Sequence, residues 1–227
     1  MILKIPPSGS QQKVFSVEPV QYLSGNRHHP VESPGSVAVY PLDSDLFELL
    51  VCNNYANRVT RHLLDARQSF RVMSSETLLQ KWLEIPDGIA VNQDQHWIAI
   101  SNHSKHCVML YENTERLDYQ TEPAGILRDV KYPHGLCFTT DGNFILVADA
   151  GAPFVHIYSN SGNDWHGMHE PLTSFRVIEE EIYLAGRCSA EEGGPKGLDI
   201  DAEMSLLVTT CEKQPLAFFD LSVVLSA

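Results

Sequence analysis

Residues 86–112 read PDGIAVNQDQHWIAISNHSKHCVMLYE, residues 133–159 read PHGLCFTTDGNFILVADAGAPFVHIYS, and residues 195–221 read PKGLDIDAEMSLLVTTCEKQPLAFFDL. Started at their prolines, the three align without a gap. Each opens with Pro-x-Gly and enters a short apolar run at residues 89–91, 136–138 or 198–200. Each then breaks at a polar turn, of which Asp141-Gly142 is the clearest, and resumes with a second run at residues 97–100, 144–147 or 206–208. A polar loop leads to a third run with alternating apolar positions: Val108 and Leu110, Val155 and Ile157, Ala217 and Phe219. Short β-branched and aromatic runs bounded by Gly, Pro, Asp and Asn are strand and hairpin signals, whereas a helix needs apolar residues three and four apart.

A looser fourth copy begins at Pro34-Gly35 with SVAVY and continues as LFELLVCNN. The turn glycines Gly35, Gly88, Gly135 and Gly197 recur at intervals of roughly 50 residues, the period of four-stranded propeller blades. The predicted fold class is therefore all-β, a β-propeller of four-stranded antiparallel blades in one domain over residues 1–227. Its repeats are residues 34–85, 86–132, 133–194 and 195–227. Outer strands are expected in LLQKWLEI before Pro86, AGILRDV before Pro133, and TSFRVI or EEIYLAG before Pro195. Four repeats are visible, while the length allows a fifth blade, for which the connection over residues 159–194 has room.

A blade cannot cover both of its own faces, so neighbours must stack and the ring must close. The last repeat stops after its third strand, and KVFSVEPVQYL in the N-terminal residues 1–33 is a strand candidate with no partner of its own. That segment is expected to close the ring as the outer strand of the last blade, which removes an exposed edge. An incomplete ring that pairs with a second chain, a homodimer, is the alternative.

A hydrophobic share of 43 % with 20 % charged residues describes a folded chain. The net charge of −13 repels polyanions, which argues against nucleic acid and anionic membranes as partners. No stretch approaches the roughly 18 apolar residues of a membrane span, and MILKIPPSGS lacks the basic flank and apolar core of a signal peptide, so a cytoplasmic location is expected. Five widely spaced cysteines without a C-x-x-C pair suit reduced, buried thiols.

In an up-and-down meander, the turn into the inner strand and the loop after the second strand lie on one rim. That rim is expected to gather Asp87, His134 and Lys196 from the Pro-x-Gly turns. From the second loops it gathers Asn53, Asn54, Asn57, Asn102, His103, His106, Asp149 and Glu212. Loops at one end of a rigid scaffold are where sites form. His134 with Asp87 has the chemistry of a proton carrier. Asp87, Asn102 and Asp149 offer oxygen ligands to a divalent cation. Asn53, Asn54, Asn102, His103, His106, Lys196 and Glu212 are candidate ligand contacts. NDWHGMHE, with His166 and His169, completes no metal pattern and reads as a surface loop; EEEIYLAGRCSAEEGG reads as a strand bounded by solvated charge.

The pattern Pro-x-Gly-apolar, Asp-Gly, apolar-Val-Ala-Asp resembles the NHL, YVTN and gluconolactonase-type group of six- or seven-bladed propellers over residues 34–221. The resemblance implies a propeller. In gluconolactonase-like enzymes it further implies a calcium or zinc ion over the central channel, held by a Glu, an Asn in Pro-Asn-Gly and an Asp in Pro-Asp-Gly. Here Asp87 matches its motif, whereas His134 and Lys196 stand where the Asn is expected and no Glu-Gly-Pro segment opens the first copy. The leading expectation is a binding or scaffold protein that takes a small molecule or a protein on the polar rim. The alternative is a metal-dependent lactonase or hydrolase using calcium or another divalent cation.

Overall fold

The computed structural model describes residues 2–3, 19–23, 25, 30–160 and 162–226. Two short strands, β1 (Ile2–Leu3) and β2 (Pro19–Gln21), pair with each other. Four larger sheets then follow one another along the chain. The first comprises β3 (Pro34–Pro41), β4 (Leu46–Asn53), β5 (Arg58–Asp65) and β6 (Arg71–Leu79). The second holds β7 (Pro86–Val91), β8 (Trp97–Asn102), β9 (Cys107–Glu112) and β10 (Gly125–Leu127). In the third are β11 (Pro133–Phe138), β12 (Phe144–Asp149), β13 (Phe154–Ser159) and β15 (Thr173–Arg176), while β14 (Gly167–His169) joins the second sheet in parallel beside β10. The fourth has β16 (Gly197–Ile200), β17 (Leu206–Thr210) and β18 (Ala217–Asp220). Apart from β14, strands successive within each of these sheets pair antiparallel, as predicted from the hairpin signals.

Inner strands pack in chain order, β3 on β7, β7 on β11 and β11 on β16. Three apolar cores lie between them. Leu50, Cys52 and Val59 of the first sheet meet Ile89, Ile98 and Ile100 of the second. The opposite face of the second sheet, with Trp97, Ala99 and Leu110, meets Leu136, Ile145 and Val147 of the third. Leu146, Val155 and Ile157 of the third sheet then meet Leu207 and Phe219 of the fourth. Alternate residues of one strand thus serve two neighbours, which is why β8 is buried throughout.

The Pro-x-Gly turn takes a specific form: the register shifts between Pro86 and Ile89, and again between Pro133 and Leu136, so the motif is a bulge at the head of the inner strand. A shift also falls between Pro34 and Ser36.

The chain departs from expectation at several places. The fourth sheet has three strands among the described residues; Pro19–Gln21 pairs with Ile2–Leu3 rather than with β18, and residues 13–18 lie outside the described residues. Of LLQKWLEI only Leu78 and Leu79 belong to the outer strand; the rest turns, with Trp82 and Ile85 at positive φ. EEIYLAG is a helix, α1 (Glu180–Gly186), and the third sheet's outer strand is β15. NDWHGMHE is not a simple surface loop, since Trp165 is fully buried in the second core. The connection 159–194 does contain extra strands, but they extend existing sheets instead of forming a fifth. Cys188 is exposed, unlike the buried thiol expected, while Cys52 is buried. Among the described residues no helix is long and apolar enough to cross a membrane.

Candidate functional site

The last residue of the second strand faces the first of the inner strand in three sheets: Asn53 opposite Pro34, Asn102 opposite Pro86, Asp149 opposite Pro133. All three side chains are fully buried. Each accepts the backbone amide two residues before that proline, from Glu32 at 2.6 Å, Glu84 at 2.7 Å and Lys131 at 2.9 Å. Asn53 donates to the Val51 carbonyl and Asn102 to the Trp82 carbonyl, each at 3.0 Å. Asp149 also accepts from Tyr132 and Gly151 amides at 2.9 Å and lies 3.0 Å from His156 Nε2. Burial pushes the Asp149 carboxyl up, yet the His156 contact and those amides outweigh it and hold the group below its ordinary range. These side chains are clamps on the chain entering each inner strand.

The variable residues of the Pro-x-Gly bulges behave differently. Asn54 donates to Asp87 Oδ1 at 2.9 Å, and His134 Nε2 lies 3.0 Å from Asp87 Oδ2. His103 Nδ1 is 3.8 Å from the same Asp87 oxygen, with Nε2 3.7 Å from Glu191. Lys196, the next residue in the series, is ion-paired with Glu212. Asp87, His134 and Lys196 thus come from the same turn of the second, third and fourth repeats, while Asn54 comes from the loop after β4, the position that His103 holds in the second repeat. Asp87 is nearly buried, whereas His134 and Lys196 keep about a third of their side-chain surface exposed, at 31 % and 34 %.

Burial pushes His134 below the ordinary imidazole range, and the neighbouring His103 and Lys196 push the same way against Asp87 and Glu212. Neutral His134 presents its Nε2 side to the Asp87 carboxylate, so the proton sits there and Nδ1 is left as an acceptor. Among the described residues nothing hydrogen-bonds to that Nδ1, and the buried Asn54 Oδ1 likewise has no partner.

Of the residues expected on the rim, Asn54, Asp87, His103 and His134 come together, with Lys196 and Glu212 alongside. Asn53, Asn102 and Asp149 do not face the rim. His106 and Asn57 are left-handed caps whose side chains bind backbone, His106 at the Lys131 carbonyl and Asn57 at the Ile85 amide. Glu191, which reaches His103, was missed by sequence reasoning because it sits in a connection with no repeat-equivalent partner. The ligand set Asp87, Asn102 and Asp149 does not fit a bound cation: Asn102 and Asp149 spend their oxygens on backbone amides, and Asp87 stands apart with Asn54 and His134. Among the described residues no three His, Cys, Asp or Glu side chains are grouped to hold a metal ion.

Successive antiparallel sheets packed inner strand to inner strand make the fold β-propeller-like. No protein-family profile and no curated protein matches the chain. Among solved structures, the chain is similar to Kuenenia stuttgartiensis hydrazine synthase, with a TM-score of 0.56 at 16 % identity over 89 % of this chain. The match spans 50 % of that chain, and at this identity it speaks for the fold alone.

Proposed function

We propose that this chain is a propeller-type binding module whose four sheets are blades about a common axis, and that it takes a small neutral or cationic ligand at the mouth where the inner strands begin. The carrying observation is that Asp87, His134 and Lys196 come from equivalent Pro-x-Gly turns of successive sheets, with Asn54, from the loop after β4, donating to Asp87. A turn at a fixed place in the repeat sets the backbone and leaves the side chain free to vary, so three chemistries in one slot suit recognition better than architecture.

The Asp87 carboxylate and His134 Nδ1 are acceptors. Their complement is a ligand rich in hydrogen-bond donors, a polyol or a small amine, rather than an anion. A metal-assisted lactonase reading draws less support, because two of its three ligands are consumed by backbone amides.

The test is a thermal-shift and calorimetric screen of polyols, small amines and dicarboxylates. Donor-rich compounds should stabilise the wild type, and His134→Gln combined with Asp87→Asn should abolish the response. Stabilisation by dicarboxylates alone, or an unchanged response in the double variant, would overturn the assignment.

A further inference from the structure

Asp149, His156 and Ser174 form a hydrogen-bonded line across the third sheet. His156 Nε2 lies 3.0 Å from Asp149 Oδ2, and its Nδ1 lies 2.8 Å from Ser174 Oγ. The carboxylate has no proton to give, so it fixes the tautomer: the imidazole N–H is on Nε2, and Nδ1 is left to accept from the Ser174 hydroxyl. Strand register holds the parts in place. His156 on β13 stands opposite Val147 of β12, two residues before Asp149, and opposite Ser174 of β15 on its other side. Burial falls along the line, from the fully buried Asp149 through the buried His156 to Ser174, which is exposed on the outer strand of the sheet.

Clamping the head of an inner strand does not need this chemistry. In the first sheet the residue equivalent to His156 is Thr60, whose hydroxyl accepts from the Asn53 amide at 3.1 Å. In the second it is Met109, whose sulfur accepts from the Asn102 amide at 3.4 Å. Of the three clamps, that of Asp149 alone combines a carboxylate, an imidazole and an outer-strand hydroxyl. The first sheet also sets a serine on a histidine, with Ser75 Oγ 2.8 Å from His62 Nδ1. There, however, the far nitrogen of the ring meets the Thr60 hydroxyl at 3.0 Å, where His156 meets a carboxylate. Arg176 lies two residues beyond Ser174 on the same face of β15, its guanidinium 5.0 Å over the Phe154 ring and 3.0 Å from Glu180.

We propose that Ser174 is an activated nucleophile and that the outer strand of the third sheet hydrolyses small acyl esters, independently of the ligand site at the mouth. A base on the hydroxyl and a carboxylate behind the base are what this reaction asks of a serine. Ser174 Oγ bonds to the ester carbonyl carbon as its proton passes to His156 Nδ1; the bond from that carbon to the alkoxide then breaks, and the proton leaves with the alcohol. Water next attacks the acyl-serine and gives a proton to Nδ1. The bond to Oγ breaks, the carboxylic acid departs and the proton returns to Ser174. Asp149 balances the transient imidazolium without taking its proton. The Arg176 guanidinium supplies N–H donors for the oxyanion on the carbonyl. An open strand edge suits a short acyl group, since a long one would find no enclosing walls.

Treatment of the full chain with a fluorophosphonate probe, followed by peptide mass mapping, tests this alongside hydrolysis of p-nitrophenyl acetate. The probe should attach to Ser174, and hydrolysis should stop once it has. Ser174→Ala changes an exposed position and should lose both signals with an unchanged melting temperature. His156→Asn should slow labelling and hydrolysis by about 100-fold or more. Ser75 should stay unlabelled, as should Ser189, an exposed serine whose oxygen accepts the Glu191 amide at 3.2 Å. If His156→Asn does not fold, Ser174 against Ser189 in the wild type decides. An unlabelled Ser174, equal labelling of Ser189, or hydrolysis undiminished in Ser174→Ala overturns the proposal. A folded His156→Asn variant that labels at the wild-type rate overturns it too, since Ser174 would then owe nothing to its neighbours.

Discussion

Gly88 and Gly135 are glycines because of what stands opposite them. A Cβ on Gly88 would lie 2.0 Å from the His134 carbonyl oxygen, and one on Gly135 2.6 Å from that of Lys196. Neither sits at positive φ, so close approach between inner strands, not a left-handed turn, fixes the residue. The obstructing atoms are backbone and cannot swing aside. Gly88→Ala should therefore cost about 1–3 kcal/mol in urea unfolding, as overpacking does. Asn102→Ala should cost as much or more by a different route: the Glu84 amide and the Trp82 carbonyl both lose their partner, at about 1–3 kcal/mol for each group that stays shielded from water.

His134 adds a pH signature. Its proton is held more weakly in the folded chain than in the unfolded one, whose imidazole titrates near 6.5. As pH falls through about 6.5 the unfolded state gains a proton that the folded state refuses, so stability is full above that value and declines below it. His134→Gln should flatten this part of the decline. Equal slopes for both proteins in urea melts between about pH 7 and 5 would count against the assignment.

At the scale of elements, the segment from Asn163 to His169 crosses from the third sheet to the second. Trp97 Nε1 donates to the Asn163 carbonyl at 2.9 Å, Trp165 is buried between the two sheets, and β14 pairs with β10 on the outer edge. This strap covers an edge that β10 would otherwise expose. Trp165→Ala should cost about 3–5 kcal/mol. It should also raise hydrogen exchange selectively at the amides of Gly125–Leu127; protection unchanged there would mean that the strap is incidental. Helix α1 is fixed in a similar way, with Tyr183 buried in the third core and its hydroxyl donating to the Gly151 carbonyl at 2.8 Å. Four strongly charged or helix-favouring neighbours in EEIYLAG allowed either reading locally, and packing decided between them.

Across the whole molecule, each sheet's stability depends on its neighbours, as in other repeat-built folds. The strands, their antiparallel pairing and their order were legible because the repeat carries its own punctuation: proline and glycine at the head of the inner strand, a polar turn, then alternation. Asp87, His134 and Lys196 as a set were legible for the same reason, since equivalence in a repeat implies equivalence in space. The burial of Asn102 and Asp149 was not, because a polar residue after a strand looks the same whether it faces water or clamps a backbone amide. Nor was the strap, whose Trp165 finds its surroundings only after two sheets have packed.

What residues 34–221 determined by themselves is local and periodic: where strands begin, where they turn, and which residues share a slot. Only the tertiary structure decided which of those slots is solvated and which side chains are spent on backbone amides. Those outcomes depend on contacts between segments roughly 50 residues apart, and a chain's local pattern carries no record of what will be packed against it.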